Sequence, residues 1–411
     1  MKLSELRDIT RSQKERLEAL DTGLERELLP FLPDIRSHAL IVSGIRRCGK
    51  STLLRQFVRK TGRAYFYCIF DDLRLYEFSG ADYQLLDLLI AESGCGLLFF
   101  DEIQSAPRWE LYIRQKLDEG FQVLLTGSNA SLLSRELGNK LTGRHLSKEL
   151  FPFSYREYLR FTGQAADAQS LDAYFVQGGF PEYLKTGNAD IVAQLQRDIL
   201  YRDIAVRYGI RDAAPLQRLY GFLVSNTAHL VSPSRLTAQA GVKSPSTVLE
   251  YFSWFQAAYL IRLVPCFAWS VRAQSLAPKK LYIADMGIIR TGSRSFTPDY
   301  GALMENFVFN QLRLSGGDVY YFSDNNRECD FIVNPGGLET QGPEGGAFCV
   351  QACYELNGDN QDREIAGLRA AMDFFNTSEG IIITRDTRDL ILESGRKITV
   401  LPAWDWAMGQ K

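Results

Sequence analysis

The feature that most constrains the fold is a glycine-rich segment near the start of the chain, at residues 44–52. It contains a glycine, four further residues and then Gly-Lys-Ser, which is the phosphate-loop signature. The apolar run at residues 39–43 before it is typical of a buried strand, and apolar residues follow at helical spacing. The sequence therefore predicts a strand, a phosphate-binding loop and a helix in succession.

Each part of this loop has an expected role in holding a nucleotide. Glycine lets the backbone turn tightly and present its N–H groups to phosphate oxygens, and the start of the helix attracts the same anion. We expect the amine of Lys50 to reach the β- and γ-phosphates and the hydroxyl of Ser51 to bind Mg²⁺. The predicted nucleotide-binding residues of the loop are Gly44, Ile45, Arg46, Arg47, Cys48, Gly49, Lys50, Ser51 and Thr52.

A second apolar run, residues 97–100, ends in the adjacent acids Asp101 and Glu102. Carboxyl ends of parallel strands gather ligands in open α/β sheets. We expect Asp101 to hold Mg²⁺ through water and Glu102 to orient and deprotonate the attacking water. Asp71 and Asp72 follow another predicted strand. We expect them either to contribute to the magnesium shell or to lie in a solvated loop.

Polar residues after a third apolar run complete the predicted site. Ser128 and Asn129 could hydrogen-bond the γ-phosphate or its attacking water, with a helix cap as the alternative. Arg144 could supply positive charge to its own or a neighbour's nucleotide, with a structural ion pair as the alternative.

Composition limits the other functions of the chain. The net charge of -2 over 411 residues provides no global basic field for nucleic acid or an anionic membrane. The 7 cysteines are scattered and, together with the 3 histidines, show no metal-ligand spacing. There is no apolar run near the ~20 residues of a membrane span. We expect a cytoplasmic protein with reduced cysteines and no membrane partner.

The motifs together resemble prokaryotic AAA-type ATP-binding proteins that carry a DUF4143 C-terminal region. The resemblance rests on the loop, on Asp101-Glu102-Ile103-Gln104, on residues 126–129 and 141–144, and on the segments at 151–158 and 178–182. It implies an AAA+-like P-loop core, ATP as ligand and a bacterial or archaeal setting. It implies no particular physiological task.

The predicted fold class is α/β: an AAA+-like P-loop NTPase core, then a helical and winged-helix region, then a degenerate restriction-endonuclease-like domain. The expected division is an N-terminal helical segment at 1–34, the ATPase domain at 35–160, a helical connector at 161–215, a winged-helix-like domain at 216–290, and a DUF4143-type domain at 291–411.

The winged-helix prediction comes from a short helix, a glycine turn, a capped helix and a strand between residues 234 and 264. The second helix is aromatic and apolar, with an acid and no base, so base reading by it is disfavoured. Basic residues around it could still contact phosphate. They are Arg235, Lys243, Arg262, Arg272, Lys279 and Lys280.

The last part of the chain resembles the PD-(D/E)xK nuclease core, with Glu305 on a helix and Asp330 on a strand. An active member carries Glu-x-Lys on the next strand, where this chain has Gln351 and Cys353. A neutral amide is a poor magnesium ligand and cysteine supplies no cation, so we expect an inactive nuclease-like domain.

These observations lead to one main hypothesis and its rivals. The main one is an ATP-binding protein, a Mg²⁺-dependent ATPase whose nucleotide state switches C-terminal interaction modules for an unknown protein partner. The rivals are an ATP-regulated DNA-binding protein with a regulatory or defence role and, less favoured, an ATP-dependent nuclease. Self-association as a homo-oligomer is a further expectation.

Overall fold

The computed structural model describes residues 1–130, 141, 143–295, 297–325, 327–334, 347–393 and 395–409. Thr142 of the expected turn and the predicted loop at 335–346 lie outside these residues. The chain divides into two compact units, Met1–Pro152 with Ala257–Tyr259 and Phe153–Gln256 with Leu260–Lys411.

The first unit is built on a parallel sheet, which has five strands among the described residues, in the order β2-β3-β4-β1-β5. The strands are β1 Ala39–Ser43, β2 Tyr65–Ile69, β3 Leu97–Asp101, β4 Gln122–Gly127 and β5 His145–Glu149. Strands β1, β3 and β4 are buried along their whole length, as their uninterrupted apolar runs predict. Because the strands run in one direction, their carboxyl ends meet at one edge of the sheet.

Helices flank this sheet, and the loop of interest lies between β1 and the second helix. The helices are α1 Leu3–Ala19, α2 Lys50–Thr61, α3 Tyr83–Ser93 and α4 Trp109–Asp118. Helix α1 ends at Ala19, well before the end of the helical segment predicted at 1–34, and Leu20 is 63% exposed. The chain then continues to a single 3-10 turn, Leu29–Phe31.

The second unit is helical in its first part. Its helices are α5 Tyr155–Thr162, α6 Ala168–Gln177, α7 Pro181–Thr186, α8 Asp190–Asp198, α9 Ala214–Ser225, α10 Pro233–Ala240, α11 Pro245–Ala257, α12 Val271–Leu276, α13 Met286–Gly292, α14 Tyr300–Leu314, α15 Gln361–Phe375 and α16 Ala403–Trp406. A π-helical segment, Ile199–Val206, follows α8 directly.

The glycine pair after α6 makes a close junction within this unit. A Cβ on Gly179 would lie 2.2 Å from the carbonyl oxygen of Phe153, and the Gly179 N–H donates to Asp285 over 2.7 Å. Gly178 has φ +68°, and a Cβ there would lie 2.2 Å from the Asp285 carboxylate. Only glycine fits both positions, which explains this motif structurally.

Two sheets complete the second unit among its described residues. A small antiparallel sheet has the order β6-β8-β7, with β6 Leu230–Val231, β7 Ile261–Val264 and β8 Lys279–Ile283. A mixed sheet has the order β13-β14-β12-β11-β10-β9, with β9 Asp318–Asp324, β10 Arg327–Asn334, β11 Phe348–Ala352, β12 Glu379–Thr384, β13 Asp389–Glu393 and β14 Arg396–Pro402. Strand β13 was not predicted, because its residues are largely exposed and pair only at the sheet edge.

The predicted α/β fold class is confirmed, with a parallel P-loop core followed by helical and separate mixed-sheet regions. The winged-helix and nuclease-like assignments of those regions, and the boundaries predicted for the domains, stay predictions. Within the described residues, no helix combines the length and apolarity needed to cross a bilayer.

Candidate functional site

The loop between β1 and α2 buries the amine of Lys50. The side chain of Lys50 is only 4% exposed, and its Nζ donates to the carbonyl oxygens of Gly44 and Ile45, each over 3.2 Å. The carboxylate of Glu102 is 3.8 Å away. The loop therefore curls around this ammonium group and holds it at the carboxyl edge of the sheet.

Two glycines are required by the path of the loop. Gly44 has φ +148°, and a Cβ there would lie 2.1 Å from the carbonyl oxygen of Leu150. Gly49 has φ +102° and precedes the first residue of α2. Both are conformations that a side chain would strain, so the sequence pattern reflects a geometric need.

A residue outside the predicted set also holds the loop. The guanidinium of Arg26, which is buried, donates to the carbonyl oxygens of Cys48 and Phe151, each over 2.8 Å. The contact spans 22 residues to the loop, so no local pattern could have predicted it.

Asp101 lies at the end of β3 beside the start of α2. The Tyr67 hydroxyl donates to Asp101 Oδ2 over 3.0 Å, and the Thr126 hydroxyl donates to Oδ1. The side chain of Ser51 lines the same cavity as Asp101. Burial, followed by repulsion from Glu102, raises the pKa of Asp101, while these hydrogen bonds oppose the rise. A nearby cation stabilises the ionised form of a buried carboxylate whose pKa is raised in this way.

The two predicted metal residues, Ser51 and Asp101, are thus brought together, and their hydroxyl and carboxylate oxygens are the donors that Mg²⁺ prefers. A cavity of about 460 Å³ opens beside them, lined also by Tyr67, Gln13 and Asp71. The residues present therefore fit a magnesium ion accompanying a bound nucleotide.

Glu102 faces Lys50 from the turn after β3. The Ser128 hydroxyl donates to Glu102 Oε2 over 3.0 Å, and the Gln104 amide donates to the same oxygen. Burial would raise the pKa of Glu102, but the charge of Lys50 and these two hydrogen bonds together lower it. Glu102 is therefore held as a carboxylate at neutral pH, as a group that accepts a proton must be.

The backbone of Glu102 is itself unusual. It has φ 49° and ψ 46°, in the left-handed region, which costs a non-glycine residue about 1–3 kcal/mol. Its N–H donates to the hydroxyl of Thr126 over 2.9 Å, and its carbonyl oxygen accepts from Ser105 over 3.1 Å. These contacts hold the side chain at the sheet edge.

The acids after β2 have partners other than a metal ion. Asp71 pairs with the guanidinium of Arg46 in the loop over 3.0 Å. Asp72 caps a short 3-10 turn by accepting from the Arg74 N–H over 3.1 Å, and it also accepts from Gln13 over 3.0 Å. Hydrogen bonds from Arg74, the largest contribution, lower the pKa of Asp72 although burial opposes them. Both residues are half-buried in the loop after β2, and a contribution to the magnesium shell stays a prediction.

The remaining predicted residues are placed as follows. Ser128 and Asn129 are buried directly after β4, with Ser128 bonded to Glu102. Ile45 and Cys48 are buried inside the loop, and the Cys48 thiol donates to the carbonyl of Leu150 over 3.3 Å. Arg47 is exposed with φ 64°, and Thr52 is half-buried in the first turn of α2.

Arg144 is not brought to the site. It precedes β5, and its backbone carbonyl accepts from the N–H of Ala39, the first residue of β1. Since β1 and β5 are parallel, Arg144 lies at the amino edge of the sheet, one strand length from the loop. Its guanidinium pairs with Asp118, which is the structural ion pair expected as the alternative. A role on a neighbour's nucleotide stays a prediction.

In the second unit, helix α11 follows α10 after the turn at Gly241, where φ is +68°. Its inner face is buried through Val248, Phe252 and Phe255. The exposed residues include Ser246, Leu249, Glu250 and Ser253, none of which is basic. Of the surrounding cations, Lys280 is buried and unavailable to nucleic acid, whereas Arg235, Lys243 and Arg272 are exposed.

Comparisons with known proteins agree with the loop geometry. Residues 36–159 match the family model described as AAA domain. Residues 168–297 match a domain of unknown function, DUF8612. The expected DUF4143 region was therefore wrong. The match at residues 36–159 is to an AAA-type P-loop domain.

Two relatives and one solved structure are similar to this chain. An uncharacterized protein of Methanocaldococcus jannaschii, MJ1544, is 28% identical, covering 96% of this chain and 92% of its own length. An uncharacterized protein of Haemophilus influenzae is 28% identical over 71% of this chain and 78% of its own. A RuvB mutant of Thermotoga maritima aligns with TM-score 0.31 and 18% identity, covering 64% of this chain and 89% of that structure.

Replacing Arg26 by Met should weaken both the fold and the loop. Loss of the charged hydrogen bonds to Cys48 and Phe151 should lower the free energy of unfolding by about 1.5–3 kcal/mol, as is usual for bonds to a charged group. Nucleotide affinity should fall as well. Denaturant unfolding and nucleotide titration measure the two effects. The control is Arg11→Met on the exposed face of α1; equal behaviour of the two variants would contradict a role for Arg26.

Proposed function

We propose that the chain is a Mg²⁺-dependent ATPase whose nucleotide state switches interaction modules in the C-terminal half. The observation that supports it is the convergence of Lys50, Glu102, Ser51 and Asp101 at the carboxyl edge of one parallel sheet. Lys50 supplies a buried cation whose carbonyl partners a phosphate could replace. Glu102 supplies a carboxylate that is held in its ionised form. Phosphoryl transfer requires these two features together.

The chain's own residues would act in the following way. The loop N–H groups and Lys50 would bind the β- and γ-phosphates, since the present carbonyl partners of Lys50 are 3.2 Å away and uncharged. Ser51 and Asp101 would hold Mg²⁺, which when bound neutralises charge on the phosphate oxygens. Glu102 would take the proton of the attacking water on Oε1, while Ser128 holds Oε2.

Binding and readiness for hydrolysis are linked in this arrangement. The ammonium of Lys50 faces Oε1 of Glu102 at 3.8 Å. A phosphate that draws Lys50 towards itself weakens this attraction and exposes Oε1 to water. The proton acceptor is then available when the substrate is in place.

Replacing Lys50 by Ala should remove nucleotide binding at micromolar ATP. A charged hydrogen bond contributes about 1.5–3 kcal/mol, so affinity should fall by at least roughly 10–100-fold. Titration with a fluorescent ATP analogue in the presence of Mg²⁺ measures this. Lys60→Ala, at the exposed far end of the same helix, should bind like the original chain. Unchanged binding in the Lys50 variant would remove the loop from the proposal.

Replacing Glu102 by Gln should separate binding from hydrolysis. The amide keeps the shape but cannot accept the proton, so phosphate release should fall by about 10²–10⁴-fold while ATP binding persists. Phosphate release and nucleotide binding are measured on the same preparation. Glu92→Gln, an exposed glutamate of α3, is the control and should retain full activity. Retained hydrolysis in the Glu102 variant would exclude it as the base.

The DNA-regulated alternative has a separate test. The exposed residues Ser246, Leu249, Glu250 and Ser253 of α11 present no cation, so we expect the ATPase rate to be indifferent to duplex DNA at low salt. The rate is measured with and without DNA for the original chain and for the double variant Arg235→Ala with Lys243→Ala. DNA stimulation that disappears in the double variant and at higher salt would favour the alternative. An unchanged rate directs the search to a protein partner.

A further inference from the structure

A second buried lysine lies in the C-terminal half, within a group of three carboxylates. Lys280 is on β8 and is only 3% exposed. Its Nζ is 2.9 Å from Glu305 on α14, 2.5 Å from Glu328 and 2.8 Å from Asp330, the last two on β10. The helix glutamate and the strand aspartate expected from the nuclease resemblance thus converge, and the group they share is an ammonium.

The carboxylates of Glu305 and Asp330 also accept hydrogen bonds from other groups. The Tyr282 hydroxyl donates to Glu305 Oε1 over 2.6 Å, the oxygen that also contacts Lys280. The second oxygen of Asp330, Oδ2, accepts from the N–H of Ala352 over 3.0 Å. A divalent cation placed on these carboxylates would have to share their oxygens with a positive charge about 3 Å away, which is strongly unfavourable in a buried site.

The neighbouring strand β11 adds no further acidic ligand to this cluster. The carbonyl oxygen of the Gln351 amide accepts from the N–H of Asp330 over 3.2 Å. Its amide nitrogen donates to Glu364, on α15, over 2.7 Å. Across the described ranges, no group of three histidine, cysteine or acidic side chains forms a metal site in the native chain, where Lys280 lies between these acids. The residues present therefore do not fit the metal ion that a nuclease-like core implies.

Electrostatics of the cluster agree with this arrangement. Burial, followed by repulsion from Asp330, raises the pKa of Glu305, although the charge of Lys280 opposes the rise. Burial disfavours the charged form of Lys280, but the attraction of Asp330, Glu305 and Glu328 raises its pKa well above the usual value. The ammonium is therefore the counter-ion that allows these acids to be buried together.

We propose that the ammonium of Lys280 stands in the position of the divalent cation, so that this site binds no metal ion while Lys280 is present. The sequence position where a nuclease carries its lysine holds Cys353, and the cation comes instead from a strand about seventy residues earlier. Removing the charge of Lys280 should turn the cluster into a divalent-cation site, because Glu305, Glu328 and Asp330 would then lack a counter-ion.

Mn²⁺ binding by the full-length chain without nucleotide tests this. Free Mn²⁺ is followed by electron paramagnetic resonance during titration of the original chain, Lys280→Met and the control Lys279→Met, which alters the neighbouring, half-buried lysine of β8. The phosphate-loop site is the same in all three proteins. We expect one more Mn²⁺ per chain in Lys280→Met than in the other two. No gain in a folded Lys280→Met would overturn the proposal.

A second comparison decides the matter even where Lys280→Met fails to fold with its acids unpaired. The original chain and Asp330→Asn are titrated in parallel, since Asp330→Asn keeps Glu305 and Glu328 as partners of Lys280. Equal Mn²⁺ stoichiometry in the two proteins supports the proposal. A bound Mn²⁺ that is lost in Asp330→Asn would overturn it, because the native site would then hold a metal ion beside Lys280.

Discussion

The proposed nucleotide site depends on the burial of a single ammonium group that has weak partners. Lys50 gives up most of its contact with water, yet its closest partners are two carbonyl oxygens at 3.2 Å and a carboxylate at 3.8 Å. A buried charge with imperfect partners is strongly attracted to a better one. The triphosphate of a nucleotide would be such a partner, and backbone N–H groups of the loop would bind it together with Lys50.

Lys280 is also a buried lysine, but the charges around it differ from those around Lys50. Lys280 has three carboxylates within 2.9 Å, so its positive charge is already balanced and does not attract a further anion. Its partners are fixed by a helix and a strand, whereas the two closest partners of Lys50 are carbonyl oxygens of its own loop. One buried lysine is therefore suited to exchange partners during a reaction cycle, and the other to hold elements of the fold together.

The sequence predicted the parts of the site that depend on local patterns. The loop, Asp101 and Glu102 follow directly from short apolar strands and the residues at their ends, and the structure brings them together. Arg26 and Tyr67 were missed because their contacts join segments 22 and 34 residues apart. Arg144 was misplaced because its neighbours in sequence do not reveal which end of a parallel strand it adjoins.

Lys280 was misread for a related reason. As one of several basic residues around the helix–turn–helix segment it suggested contact with phosphate, but in a strand alternate side chains face opposite sides, and this one faces acids 25, 48 and 50 residues further along the chain. A broken motif in sequence therefore does not mean a missing charge in space. We therefore propose that the lysine expected after Gln351 is replaced by Lys280 from another sheet, so that the acids keep their positions beside a counter-ion that belongs to the chain.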